Sequence, residues 1–150
     1  MAVWDDLWTE FESQAGPILS DELSAQAPVS DDENDPAPGT LADSMVWEDR
    51  DGDTLTVGSK DPRGPIGAYV TRGTSWHPID PVNGEFLHFF VGGDEVFARH
   101  VDHPGTAANP FHIAAWENQR DQVHQLFYEI MPHGMAMSYL NPWRNKTLGE

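Results

Sequence analysis

At 150 residues the chain suits one domain with a modest core, burying roughly 70% of the surface its unfolded form would expose. Its 25 acidic against 8 basic residues give a formal net charge of −17, a field that repels phosphate backbones and argues against nucleic-acid binding. Cysteine is absent, which excludes disulfides, thiol nucleophiles and thiolate metal sites.

The hydrophobic fraction is only 39%, but six Trp and seven Phe concentrate the apolar area in few side chains. Lys60 and Lys146 are the only lysines. An acidic, lysine-poor surface suits molar salt, which screens self-repulsion; the alternative is an acidic protein kept soluble by its charge. No apolar run approaches the ~20 residues that span a bilayer. The start, Met1-Ala2-Val3-Trp4-Asp5-Asp6, lacks the basic leader of a signal peptide, so a soluble, unsecreted chain is expected.

Residues 1–26 read as an amphipathic helix, with Trp4, Leu7, Trp8, Phe11, Ala15, Ile18, Leu19 and Leu23 on one stripe. Gly16-Pro17 predicts a kink or a split, because proline costs a helix interior ~3 kcal/mol. Residues 27–40 are Pro-rich and acidic, an exposed loop unable to order itself by burial. Its Asp31, Asp32, Glu33 and Asp35 lack the glycine and distal glutamate of a calcium loop. Leu41 to Glu48 and Thr54 to Gly58 alternate around an Asp-Gly turn, predicting a hairpin. Ile66 to Thr71 reads as another short strand. Long loops at 59–65 and 73–85 carry Arg63, Trp76 and His77. A second hairpin is expected from 86–91 and 95–101 around Gly92-Gly93, then a turn at His103-Pro104-Gly105-Thr106. Asn109-Pro110-Phe111 opens a helix with the stripe Phe111, Ala115, Trp116, Val123, Leu126, Phe127 and Ile130, stopped by Pro132 and Gly134.

These elements predict a single α+β domain: an antiparallel sheet of about four to five strands with the N-terminal and 110–131 helices packed on it. Residues 41–131 form the sheet-plus-helix body. The C-terminal segment 132–150 carries Met135, Met137, Tyr139, Leu140 and Trp143, anchors expected to dock on this domain or on a neighbour.

Enzymatic chemistry finds no support. His100-x-x-His103 with His77 or His112 has a ligand-like spacing but no zincin glutamate; turn and strand-surface histidines account for it, and no metal or cofactor is expected. No G-x-S-x-G elbow is present, and neither Gly92-Gly93 nor Gly64-Pro65-Ile66-Gly67 leads into a phosphate-binding helix with a lysine.

Several short motifs occur in a telling order: Ala27-Pro28-Val29, Gly39-Thr40-Leu41-Ala42-Asp43-Ser44-Met45, Leu55-Thr56-Val57-Gly58-Ser59 and Ala68-Tyr69-Val70-Thr71-Arg72-Gly73-Thr74. They continue with His77-Pro78-Ile79-Asp80-Pro81, Leu87-His88-Phe89, Val96-Phe97-Ala98-Arg99, His103-Pro104-Gly105-Thr106 and Pro110-Phe111, followed by Ala114 and Ala115. Across residues 27–130 the series resembles the minor tail component family of tailed phages, the tail-completion or head–tail joining proteins of the siphovirus neck. Arg72 stands where the family has Glu, and no cation lies between Leu41 and Ser44. With the lysine-poor composition, the resemblance implies a tailed virus of a halophilic archaeon.

The resemblance implies a non-enzymatic virion protein, in the host cytoplasm during assembly. It would form a ring, commonly six-fold, joined to connector or stopper, terminator and tail-tube proteins and letting viral DNA pass without specific binding. Arg63, Trp76, His77, Tyr139 and Trp143 are the candidate contacts to other subunits or rings. Asp31, Asp32, Glu33 and Asp35 are the candidate acidic groups facing lumen or solvent. The alternative is a monomeric acidic binding module or DNA-mimic inhibitor.

Overall fold

Apolar side chains at helical spacing in two distant segments decide the architecture. The computed structural model describes residues 2–132. Helices α1 (Ala2–Gln26) and α4 (Phe111–Ile130) pack antiparallel. Phe11 meets Phe127 edge-on, with ring centroids 5.3 Å apart at 87°. Towards the far end of α1, Glu22 accepts hydrogen bonds from the Asn118 and Gln119 amides at 2.7 and 2.9 Å. Phe11, Ala15, Val123, Phe127 and Met131 are buried between the helices, with Trp4, Leu7, Trp8, Ile18, Leu19, Leu55, Leu126 and Ile130 packed around them. A second cluster, Ala27, Leu41 and Phe111, closes the other end with Leu23, Met45, Ile66 and Val70. Trp116 does not join the stripe; it is 43% exposed, edge-on to His124.

Helix α1 is continuous through Pro17, which corrects the expected split into two helices. Much of proline's conflict with a preceding helical residue involves that residue's Cβ, and Gly16 has none. The same gap admits the Trp47 indole, which a Cβ on Gly16 would overlap. Trp47 belongs to β1 (Met45–Arg50), which pairs antiparallel with β2 (Thr54–Ser59) and packs on α1. This is the expected Asp-Gly hairpin: Asp51 and Gly52 take positive φ, and Gly52 N–H donates to the Asp49 carboxylate at 3.0 Å. Its start is corrected, since Thr40–Asp43 forms a helical turn, α2, that buries Leu41.

Residues Ile66–Arg72 form a helix, α3, and not a strand. The apolar residues Ile66 and Val70 satisfy an i, i+4 spacing as well as alternation, and the second cluster takes both. Without that strand no four- or five-stranded sheet assembles among the described residues. Three two-stranded antiparallel ladders replace it: β1–β2, β3 (His77–Ile79) with β6 (Val101–His103), and β4 (Leu87–Val91) with β5 (Asp94–Ala98). The expected strand 95–101 thus divides at Arg99-His100 between two ladders. Nor does α4 close over the β4–β5 ribbon; its apolar stripe is taken by α1. The fold is mixed α+β, with a helical pair at its centre.

Two consequences are measurable. Alanine at an ordinary helical glycine stabilises by roughly 1 kcal/mol. Gly16→Ala should instead lower stability by about 1–3 kcal/mol, the usual range for overpacking, in denaturant unfolding at fixed salt. The second concerns Glu12, which is 5% exposed, with Oε1 lacking a hydrogen-bond partner among the described residues. Burial, and then the Asp49 carboxylate, hold its carboxyl above the usual range. A raised folded pKa contributes stability at low pH and loses it as pH rises through that value, so ionised Glu12 is a cost at neutrality. Glu12→Gln should raise the melting temperature at pH 7, with the gain shrinking as both proteins are brought to acid pH.

Candidate interaction surface

The loops between the ladders are pinned by backbone contacts that their glycines permit. Thr74 and Thr106 form an isolated antiparallel bridge with N–H to O distances of 2.9 and 3.0 Å, and Thr74 Oγ1 accepts a further bond from Thr106 N–H. Gly73 and Gly105 flank it with positive φ, and a Cβ on either would run into the backbone of the other segment. Asn109 N–H donates to Val70 C=O at 2.9 Å, tying the end of α3 to the start of α4. Asn109 thus contributes its backbone to this contact, and Pro110 holds the N-cap position without a capping side chain.

The β3–β6 ladder carries a histidine cluster. His77 stacks on its register partner His103 with centroids 4.8 Å apart. His77 Nδ1–H donates to Ser75 C=O, while His103 Nδ1 accepts Gly105 N–H at 3.0 Å, which puts the His103 proton on Nε2. His100 lies between two carboxylates, with Nδ1 2.7 Å from Asp80 and Nε2 2.9 Å from Asp102. Every ring is at least partly occupied by a local partner. Among the described residues no three His, Asp or Glu side chains gather as metal ligands.

Of the candidate contact residues, Trp76 (61% exposed) and His77 stand together at the start of β3, open to solvent. Arg63 is directed inward. Its fork binds the Asp61 carboxylate at 3.0 and 2.8 Å, and its other nitrogen reaches Asp35 at 3.4 Å. The Asp61 side chain is fully buried, and the Arg63 fork holds its carboxyl below the usual range. Arg63 thus pins loop 59–65 to loop 27–40. Tyr139 and Trp143, and the docking expected of the C-terminal segment, lie outside the described residues.

The acidic loop is exposed, as expected, but three of its carboxylates have structural work. Asp32 accepts the backbone and side-chain N–H groups of Asn34 at 2.9 and 3.0 Å, which lowers its pKa. Glu33 spans the β4–β5 turn, taking Gly92 N–H at 2.7 Å and Gly93 N–H at 2.9 Å. Asp35 accepts Ala37 N–H at 2.9 Å besides Arg63. Asp31 stays in solvent. The residue the sequence did not single out is Asn34, whose carboxamide brackets Phe90: Oδ1 accepts its N–H at 2.6 Å and Nδ2 donates to its C=O at 3.0 Å. The Asp32-x-Asn34 spacing signals a local turn. Nothing local signals a partner 56 residues away.

An open apolar cleft of about 410 Å³ lies between α1, the β1–β2 hairpin, α3 and the start of α4, lined by Leu23, Met45, Val57, Ala68 and Phe111. Ser59, Thr71 and His112 are the polar side chains on its wall, and the Ser59 hydroxyl is engaged with Ser44 Oγ at 2.7 Å. Comparison with protein families, with curated proteins and with solved structures returns no match for this chain. No helix among the described residues is long and apolar enough to cross a membrane. The surface offers aromatic rings, pinned loops and carboxylates, groups suited to contact.

The His100 bridge sets a pH dependence. Asp80, and then Asp102, hold its pKa above the ordinary histidine value of about 6.5. That contribution is complete below the unfolded value and is lost as pH rises through the raised one. Protection of the amides around Asp80 and Val101–His103, taken relative to their intrinsic base-catalysed exchange, should therefore fall on passing from pH 6 into the alkaline range, and His100→Gln should flatten that fall.

Proposed function

We propose that this chain is a structural component of the head–tail neck of a tailed virus, of the tail-completion or head–tail joining kind, working in a ring. The resemblance of motifs in order along residues 27–130 suggests it. The observation that carries it furthest is the meeting of two of those motifs: Gly73-Thr74 bonds backbone to backbone with Gly105-Thr106, so the similar stretches belong to one built unit.

The rest is compatible in its physics. Loops 59–65 and 73–85 are held at their roots, and Trp76 and His77 are exposed where an adjoining subunit could meet them. A ring that closes by rotation uses such heterologous contacts. A net charge of −17 gives passing DNA no counter-charge to hold it. The lysine-poor composition suits assembly in a salt-rich host. The chemistry of the surface is that of a joint, and no reaction is assigned to it.

Virus particles decide the matter. The chain should be found in purified virions at the copy number of a ring, and particle maps should place it between head and tail. Virus lacking it should yield unjoined heads and tails, which added protein rejoins. Virions devoid of the chain, together with a monomer that binds a basic protein in molar salt, would establish the DNA-mimic alternative instead.

A further inference from the structure

The β4–β5 ribbon shows one face to the body and one to solvent. Leu87, Phe89, Val96 and Ala98 are half-buried. On the opposite face Phe86 is 48% exposed, Phe90 41% and Phe97 62%, with His88, Glu95 and Arg99 among them. His88 stacks on Phe97 at 4.7 Å and binds Glu95 at 2.7 Å, and the Arg99 guanidinium lies over the Phe86 ring at 5.3 Å. A two-stranded ribbon with an apolar face is marginal in water unless more strands or a packing partner complete it.

Hydrogen-bond parity shows where completion can occur. Gly92 and Gly93, at φ 61° and 85°, make a two-residue turn of the type that closes on a hydrogen-bonded pair, Val91 with Asp94. Alternation then leaves Phe90 and His88 on β4, and Glu95 and Phe97 on β5, with N–H and C=O groups turned outward. On the β4 edge Asn34 already occupies the outward groups of Phe90. On the β5 edge no hydrogen bond reaches the outward backbone of Glu95 or Phe97 among the described residues.

The sequence of that edge, Asp94-Glu95-Val96-Phe97-Ala98-Arg99, is acidic at one end, aromatic in the middle and basic at the other. Reversed against itself about Phe97, it places Glu95 opposite Arg99 and Arg99 opposite Glu95. Glu95 and Phe97 share the outward parity, and Arg99, at the bend one residue past β5, lies on the same exposed face over the Phe86 ring. Registers two residues either way set Glu95 or Arg99 against Phe97 and lose both opposite-charge pairs.

We propose that β5 is a self-pairing edge: two copies of this chain join β5 to β5, antiparallel about Phe97, with reciprocal Glu95–Arg99 pairs and a shared Phe86–Phe90–Phe97 face. The contact is isologous and closes at two copies. It does not rest on the neck proposal, whose ring needs separate heterologous contacts. Mutual repulsion between two strongly acidic chains opposes it, so the dimer strengthens as salt screens that long-range field.

Sedimentation equilibrium of the full chain through a salt series tests this by charge exchange. The chain should pass reversibly from one copy to two. Glu95→Arg and Arg99→Glu should each weaken dimerisation at least about tenfold, because each turns two cross-strand attractions into two repulsions. The combined exchange should recover most of that loss, which a merely damaged ribbon would not do. Phe97→Pro, which removes an outward N–H and leaves the β4 ladder intact, should give a monomer with unchanged helical circular dichroism. A chain that stays monomeric at every salt concentration overturns the proposal. So do single reversals without effect, a double variant no tighter than the weaker single, or a larger ring indifferent to all of them.

Discussion

The antiparallel packing of α1 on α4 is the contact from which the other parts take their places. Phe11 against Phe127 fixes the two helices edge to face, and the larger of the two buried apolar clusters among the described residues lies between them. An isolated helix containing a glycine and a proline at its centre would be a poor one. Held between α4 on one side and the β1–β2 hairpin on the other, α1 stays helical through Pro17, and the missing Cβ of Gly16 becomes a seat for Trp47. The same packing draws Glu12 out of water beside Asp49, a cost the contact sustains.

Away from the two buried clusters much of the apolar area stays exposed, and the described loops are fastened by carboxylates and amides. Asp61 and Asp35 share Arg63; Glu33 and Asn34 hold the turn and edge of the β4–β5 ribbon. In a chain with few cations, most carboxylates must find backbone N–H donors or stay in solvent. The acidic loop does both: it is highly charged, yet it serves as the stay that keeps an exposed ribbon in position. Hydrogen bonds of this kind contribute about 0.5–1.5 kcal/mol each when neutral and more when charged. A few of them can direct a ribbon without burying it. The result is a partly supported ribbon and two glycine-backed loops with exposed aromatic rings between them.

Much of the local structure was legible. The apolar stripes of both long helices, the Asp-Gly and Gly-Gly hairpins and the exposed acidic loop all follow from spacing and turn chemistry. The misreadings share one cause. Ile66 to Thr71 and Leu41 satisfy strand and helix patterns equally well, and only their burial in the Ala27–Leu41–Phe111 cluster selects the helix. Val101 continues the alternation of β5 by sequence, yet pairs with Ile79. Among the candidate site residues, Trp76 and His77 were legible only as members of a long loop; their exposure, the Arg63 bond to buried Asp61 and the grip of Asn34 on Phe90 were not.

By itself the sequence determined the periodic faces, the turns and the field: which side of each helix is apolar, where glycines let the chain reverse, and that the whole is strongly acidic. These are properties of neighbours a few bonds apart, and composition carries them. The tertiary structure alone decided which apolar faces meet, that three ladders stand where one sheet was expected, and which carboxylates hold loops and which remain free. Such choices depend on contacts between residues tens of positions apart. Their energies exist only once the α1–α4 core has brought those residues within reach.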